Sequence, residues 1–356
     1  MAIVKKIIVI NLVLLFMACS DAESRDPFMA KAVSSGYWHS IVIRADGNLW
    51  AWGEEYGDSP VKIESGTDWE TVSEGGYWYT AMAIKTGGSL WAILGPDLFP
   101  FEEDAAWKVV SAPSGPRRHT MAIRTDGSLW TWGRNSSGQL GNDSRMNSDT
   151  PVRIGIDTDW EYISAGNGFS MAVRTDGSLW AWGRNSSGQL GSGSTADSII
   201  PIQIKPGTAW QAVSGGGEHT LAVKRDGSLW AWGDNYFGQL GDGTREHSTF
   251  PVQIGTDTDW RIVSAGGEHS MAIKEDNSLW AWGNNRLGQL GNDTTLNSPV
   301  PVKIAPGKTW RTVSSGNEHT VAIRADGSLW AWGSNSSGQL GDGTRKSRNY
   351  PVQVFH

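Results

Sequence analysis

Gly227-Ser228-Leu229-Trp230-Ala231-Trp232-Gly233 is the stretch from which the rest of the chain can be read. Side chains alternate along a strand, so Leu229 and Ala231 face one side and Trp230 and Trp232 the other. Both faces are apolar, one slim and one bulky, and such a strand needs cover on both sides. Asp226-Gly227, just before it, is a favoured hairpin pair, expected to set both turn residues at φ > 0. Around this centre, residues 210–214, 220–224, 228–232 and 251–254 read as four short strands of one unit.

The unit recurs seven times. Its Leu-Trp pair places Trp at 50, 91, 130, 180, 230, 280 and 330, with spacings of 41, 39 and then 50 four times. A period of this length marks a propeller or a solenoid. Of 21 Trp, nineteen sit on three repeat positions: these seven, six that open a repeat (69, 107, 160, 210, 260, 310) and six in the second slot of Trp-Ala-Trp-Gly (52, 132, 182, 232, 282, 332). Slim-against-bulky stacking of neighbouring copies is satisfied by radial closure, which leaves only short edges. The expectation is an all-β, closed seven-bladed β-propeller of four-stranded blades over residues 31–356. The rest of the composition agrees: 45 Gly serve turns, and a single Cys excludes a disulfide framework or a Cys-rich zinc site. A net charge of −7 argues against nucleic acid as a partner.

The N-terminus reads as an address. Lys5 and Lys6 precede an apolar run from Ile7 to Ala18 that is too short to span a bilayer. Phe16-Met17-Ala18-Cys19 resembles a bacterial lipobox, which implies cleavage before Cys19 and its lipidation. Residues 1–19 are thus expected to be a lipoprotein-type signal and 20–30 a polar tether. The protein would be exported and held on an envelope membrane by its lipid, with the periplasmic side and the outer surface both open.

Repeats three to seven carry Asn-x-x-Gly-Gln-Leu-Gly, at 135–141, 185–191, 235–241, 285–291 and 335–341; repeats one and two lack it. With Gly-Ser-Leu-Trp-Ala-Trp-Gly and Gly-x-Glu-His-Thr, this motif resembles the regulator of chromosome condensation repeat family over about 320 residues. The resemblance implies the propeller fold. For function it offers an exchange factor for a small GTPase, a light sensor and a secreted inhibitor of enzymes, since one fold hosts unrelated activities. Light-sensing members carry Trp in a repeated Gly-Trp-Arg-His-Thr motif. The matching stretches here, such as Gly216-Gly217-Glu218-His219-Thr220, have no Trp in that slot.

No pattern of catalytic chemistry emerges. Five His (39, 119, 219, 269, 319) share one repeat slot, which Tyr79 and Phe169 fill in the other two copies. Each is expected to hydrogen-bond its own blade's backbone, because a symmetric ring of imidazoles cannot converge on one metal ion. Glu218, Glu268 and Glu318 beside them read as a solvated rim. Pro306-Gly307-Lys308-Thr309 lacks the first glycine of a phosphate loop, Val302 standing there. No catalytic residue, metal or cofactor is therefore expected.

The departures from the repeat lie just before the His slot. Repeats one to three place Tyr37, Trp38, Tyr77, Trp78, Arg117 and Arg118 there, where the others have small or acidic residues. Trp38 and Trp78 are the two Trp outside the repeat positions, and Trp, Tyr and Arg are enriched at binding hot spots. These six residues are the candidate partner-binding sector of a monomeric, non-enzymatic interaction module facing an envelope or extracellular protein. A cell-wall glycan is the alternative ligand, stacking on the same rings.

Overall fold

The computed structural model describes residues 29–355 except 65, 67, 76–79, 103–105 and 118. Twenty-eight strands form seven sheets, each of four antiparallel strands taken consecutively from the chain, as expected. Blade five comprises Trp210–Gly215, His219–Lys224, Leu229–Gly233 and Ser248–Gln253, in that order across the sheet. The first strand of every blade packs against the first strands of both neighbours, including Trp310–Ser315 of blade seven against Ala30–Ser35 of blade one. The ring is therefore closed, with first strands innermost. No sheet mixes the two chain ends, so closure rests wholly on contacts between sheets.

At the innermost level that contact is a seven-membered ring of serines. Ser34, Ser73, Ser111, Ser164, Ser214, Ser264 and Ser314 stand at the same place in their blades. The Oγ of each accepts a hydrogen bond from a main-chain N–H of the next blade, namely Glu74, Ala112, Ala165, Gly215, Ala265, Ser315 and Ser35, at 2.9–3.0 Å. Buried backbone donors need a partner, and here every blade supplies one to its neighbour.

The Asn-x-x-Gly-Gln-Leu-Gly insert adds a second layer. Asn235 is fully buried, its Nδ2 donating to Asp242 Oδ1, Thr244 Oγ1 and Glu246 O while its Oδ1 accepts from Leu240 N. Folded this way, the insert of blade five presents the Gln239 carbonyl to blade six, where Trp282 Nε1 donates to it at 2.9 Å and Ser270 Oγ at 2.7 Å. Trp182, Trp232 and Trp332 make the same bond to Gln139, Gln189 and Gln289, and Trp52 makes it to Gln339 across the closure, at 2.8–2.9 Å. Blades one and two, without inserts, offer no such carbonyl. Blade two accordingly has Ile93 in place of the donor Trp, and Trp132 of blade three instead stacks on Phe101, with centroids 5.2 Å apart.

The remaining repeat Trp build the opposite face. The residue that ends each second strand is cationic and lies over ring faces of its own blade: Arg124 over Trp107 and Trp130, Arg174 over Trp160 and Trp180, Lys274 over Trp260 and Trp280. Such cation–π contacts are worth about 0.5–2 kcal/mol each.

The Asp-Gly turns differ from expectation in one respect. Gly227 has φ +81 but Asp226 is not at positive φ. Four residues separate the strands, with Gly227 N bonded to Lys224 O at 2.9 Å and Lys224 N to Ser228 O at 3.0 Å. This is a type I turn followed by a left-handed residue, and Asp226 accepts from the N–H and hydroxyl of Ser228 instead.

The insert layer can be tested at its glycines. A Cβ on Gly241 (φ +83) would stand 2.7 Å from Trp282 Nε1, whereas one on Gly255 (φ +63) would meet nothing within 4 Å. Both Ala substitutions strain the backbone, but only Gly241→Ala also pushes on the clamp. It should lose about 1–3 kcal/mol more than Gly255→Ala in urea unfolding. Equal losses would show that the Trp282 contact carries no stability.

Candidate functional site: the loop face of the ring

Antiparallel order sends the connections from first to second strand and from third to fourth strand out of one face, and the Asp-Gly turns out of the other. On the first face the inner loops join into an arc of main-chain hydrogen bonds: Asn167 N to Gly216 O, Gly217 N to Gly266 O, Gly267 N to Gly316 O and Asn317 N to Gly36 O, at 3.0–3.2 Å. The arc runs from blade four through seven to one. Blades two and three have longer loops at this place. From the ring serine to the start of the second strand takes five steps in blade five (Ser214 to His219), but seven in blade two (Ser73 to Thr80) and eight in blade three (Ser111 to His119).

The second strand of blade two corrects the repeat alignment. His39 pairs with Gly53 at the end of the third strand, and the residue in the same register of blade two is Thr80, opposite Leu94. The slot therefore holds Thr80. Tyr79 itself lies outside the described residues.

The slot histidines bond through Nε2 to the next blade, which was not expected; His119 alone among the described ones also meets its own blade's backbone, its Nδ1 lying 3.4 Å from Arg117 O. His119, His219, His269 and His319 are buried, and their Nε2 atoms meet the hydroxyls of Ser170, Ser270, Thr320 and Ser40 at 2.8–3.0 Å. Each hydroxyl donates onward to the Gln carbonyl of the insert, as Ser270 does to Gln239 and Thr320 to Gln289. The hydroxyl proton being so used, the imidazole Nε2 must be the donor, which fixes the tautomer. Burial pushes the pKa down to about 4 for His119 and about 3 for His219, His269 and His319.

His39 is the exception, and its strand register explains it. The residue of blade two that would carry the hydroxyl is Ala81, so His39 Nε2 turns to the buried carboxylate of Glu74 instead. Burial opposes a charge on His39, but Glu74 outweighs it and the pKa is raised; burial likewise lifts Glu74, against the pull of His39. The pair thus retains one proton that the unfolded chain has released above about pH 6.5.

A pocket of about 430 Å³ occupies the centre of this face. Tyr37 of blade one and residues 114–116 of blade three line it, together with Glu218, Asp234, Tyr236 and Phe237 of blade five and Glu268 of blade six. Tyr37 and Trp38 are half-buried and pack edge-on, with centroids 4.6 Å apart. Arg117 leans away toward blade four, with its Nη1 donating to Ser137 Oγ, its N–H to Asn167 Oδ1 and its stem over Gly168. Tyr77, Trp78, Arg118 and Cys19 lie outside the described residues. The acidic rim is only partly solvated: Glu218 is half-buried against Arg184 and Ser187, and Glu318 is half-buried as well. Sequence reasoning passed over Tyr236 and Phe237. The signal was present, because the two middle positions of the motif are Ser-Ser in three of the other four copies.

Comparison with known proteins settles the family. A model of the RCC1-like domain matches residues 96–355, and one of the regulator of chromosome condensation (RCC1) repeat matches residues 30–56. The chain belongs to the RCC1-like family. Among its relatives in the family, the Ultraviolet-B receptor UVR8 of Arabidopsis thaliana is 29% identical over 165 residues, covering 39% of this chain and 37% of the receptor. RCC1 domain-containing protein 1 of Homo sapiens is 28% identical over 147 residues, covering 37% of this chain and 38% of that protein. The chain thus matches under two fifths of the length of these curated relatives. Yeast RCC1 (Prp20), solved bound to Kap60, superposes with a TM-score of 0.76 over 96% of this chain and 91% of that one at 16% identity. Human WBSCR16 gives 0.74 over 84% of each chain at 20% identity. At such identities the likeness is one of fold.

The histidines of this RCC1-like propeller fix the sign of its pH dependence. The four neutral ones have folded pKa values below the ordinary 6.5, so the unfolded chain binds more protons and stability falls as pH drops from 6.5 toward 4. Each contributes a slope of at most about 1.4 kcal/mol per pH unit. The His39–Glu74 pair acts in the opposite sense, losing stability as pH rises above 6.5. Urea unfolding between pH 4 and 9 should therefore show a maximum, with the acid limb shallower by about one proton in His269→Gln and the alkaline limb flattened in His39→Gln. An acid limb that His269→Gln leaves unaltered would contradict the assignment.

Proposed function

We propose that this RCC1-like propeller is a non-enzymatic protein-interaction module that binds a partner through the loop face of blades one to three. The observation that carries the reading is the coincidence of three departures in one sector. Blades one and two lack the clamping insert, blades two and three have the longer inner loops, and Tyr37, Trp38, Tyr77, Trp78, Arg117 and Arg118 fall in the inner connections of blades one to three. From blade four through seven to one the inner loops are short and tied into the arc of main-chain bonds. Large aromatic side chains beyond those the packing uses are what a hot spot requires.

The setting we propose is the cell envelope. Residues 1–19 act as the export signal, Cys19 carries the lipid, and the polar stretch after it gives the ring reach from the membrane. The partner is then an envelope or extracellular protein, and the exchange-factor role of the family's namesake is set aside.

Capture from envelope extract tests the reading, with residues 20–356 beside a variant carrying Tyr37→Ala, Trp38→Ala, Tyr77→Ala and Trp78→Ala. A partner retained by the parent should be lost from the variant, with about tenfold or greater weakening and a melting midpoint shifted by only a few degrees. Equal capture by both would refute the sector. Release of the bound material by soluble cell-wall glycans would make the module a lectin instead.

A further inference from the structure

The central pocket of the loop face has a chemistry of its own. Its lining contains three carboxylates, Glu218, Asp234 and Glu268, and three rings, Tyr37, Tyr236 and Phe237; among the described residues no Lys or Arg lines it. Arg184 offsets Glu218 from the side, and His247 reaches Asp234 at 2.8 Å. Glu268 has only the Asn284 amide at 2.7 Å, and no cation pairs with it among the described residues. Glu318, its neighbour from blade seven, is held above the ordinary carboxylate range by burial and by the charge of Glu268.

The floor is likewise short of donors. The N–H groups of Gly217, Gly267 and Asn317 are spent on the arc of main-chain bonds. Beneath those loops His219, His269 and His319 are fully buried, with Nε2 committed to the next blade and Nδ1 without a hydrogen-bond partner. Each Nδ1 is turned toward the first glycine of the lining loop, 2.6–2.9 Å from where a Cβ on Gly216, Gly266 or Gly316 would stand. The fixed tautomer makes each of these atoms a lone-pair acceptor. Carboxylates and an exposed ring face favour one kind of guest, a cation with several N–H donors and a flat or slender stem.

We infer that this pocket receives the guanidinium of an arginine side chain projecting from the partner, stacked on Tyr236 beside Phe237, whose ring Arg286 already covers at 5.0 Å, and paired with Glu268. The inference rests on the protein-binding reading of this face and supplies the chemistry of the partner's anchoring residue. Guanidinium is preferred to ammonium because its plane stacks on rings while its edge meets a carboxylate. Tyr236, 62% exposed and edge-on to Phe237 at 4.8 Å, is placed to present that surface without being needed by the core.

The test uses the full chain and two synthetic fluorescein-labelled peptides, Gly-Gly-Arg-Gly-Gly and its neutral isostere with citrulline for arginine, followed by anisotropy. The arginine peptide should bind about tenfold or more tightly than the citrulline one, a difference that added salt reduces. Glu268→Gln should abolish most of that discrimination. Tyr236→Ala, at an exposed position, should weaken the arginine peptide about threefold or more with the melting midpoint unchanged. Equal binding of the two peptides, or no saturable binding of the arginine peptide up to ~10 mM, overturns the inference. Because neither peptide depends on capture of a natural partner, either result leaves the aromatic sector to be judged by its own experiment.

Discussion

Everything on the loop face depends on a hydrogen bond that a serine side chain makes to the next blade's backbone. Seven blades of consecutive strands have no shared sheet to hold the chain ends together, so a donor–acceptor pair at each inner junction must do it. The serine ring is complete at all seven junctions, including Ser314 to Ser35 across the chain ends. Each bond is worth about 1 kcal/mol net, and leaving the matching N–H buried without it would cost more. It also fixes where each inner loop begins, and thus where Tyr37, Glu218 and Glu268 stand.

The second layer is not uniform. The Gln carbonyls of blades three to seven hold blades four to seven and blade one, through Trp Nε1 and a hydroxyl; a buried histidine meets that hydroxyl at four of these five junctions, Phe169 standing in its slot between blades four and five. At the junctions of blade two these are replaced by other contacts: the His39–Glu74 pair, the Tyr56 hydroxyl on the Gly95 carbonyl at 2.8 Å and the Phe101–Trp132 stack. The ring therefore has a five-junction arc built on one repeated interaction and a two-junction sector built ad hoc. The longer inner loops, those of blades two and three, lie in that second sector.

Most of the architecture was legible in the chain itself, because a repeated unit reports its own strands. Leu229 to Trp232 and the Asp-Gly turns mark the blade, and the Leu-Trp period counts the copies. The serine ring was visible as well, as a Ser that follows Val or Ile in every copy, from Val33-Ser34 to Val313-Ser314. It went unread because nothing in a strand pattern says which polar residue faces a neighbouring sheet. The likeness of Gly36-Tyr37-Trp38 to Gly76-Tyr77-Trp78 hid the two-residue extension of blade two, since register is set by pairing with Leu90–Leu94 and not by resemblance. The partners of the histidines were hidden for a related reason: their hydroxyl and carbonyl groups come from other blades, some 50 residues away.

The claim on which the account turns is uneven closure, a ring held everywhere by serine but clamped by the inserts only from blade three round to blade one. Hydrogen exchange of the full chain, read by mass spectrometry on peptides spanning the second and third strands of each blade, tests it most directly. Segments 80–94 and 119–133, which receive no Gln carbonyl, should exchange about tenfold or more faster than segments 169–183, 219–233, 269–283 and 319–333. Equal protection around all seven blades would contradict it.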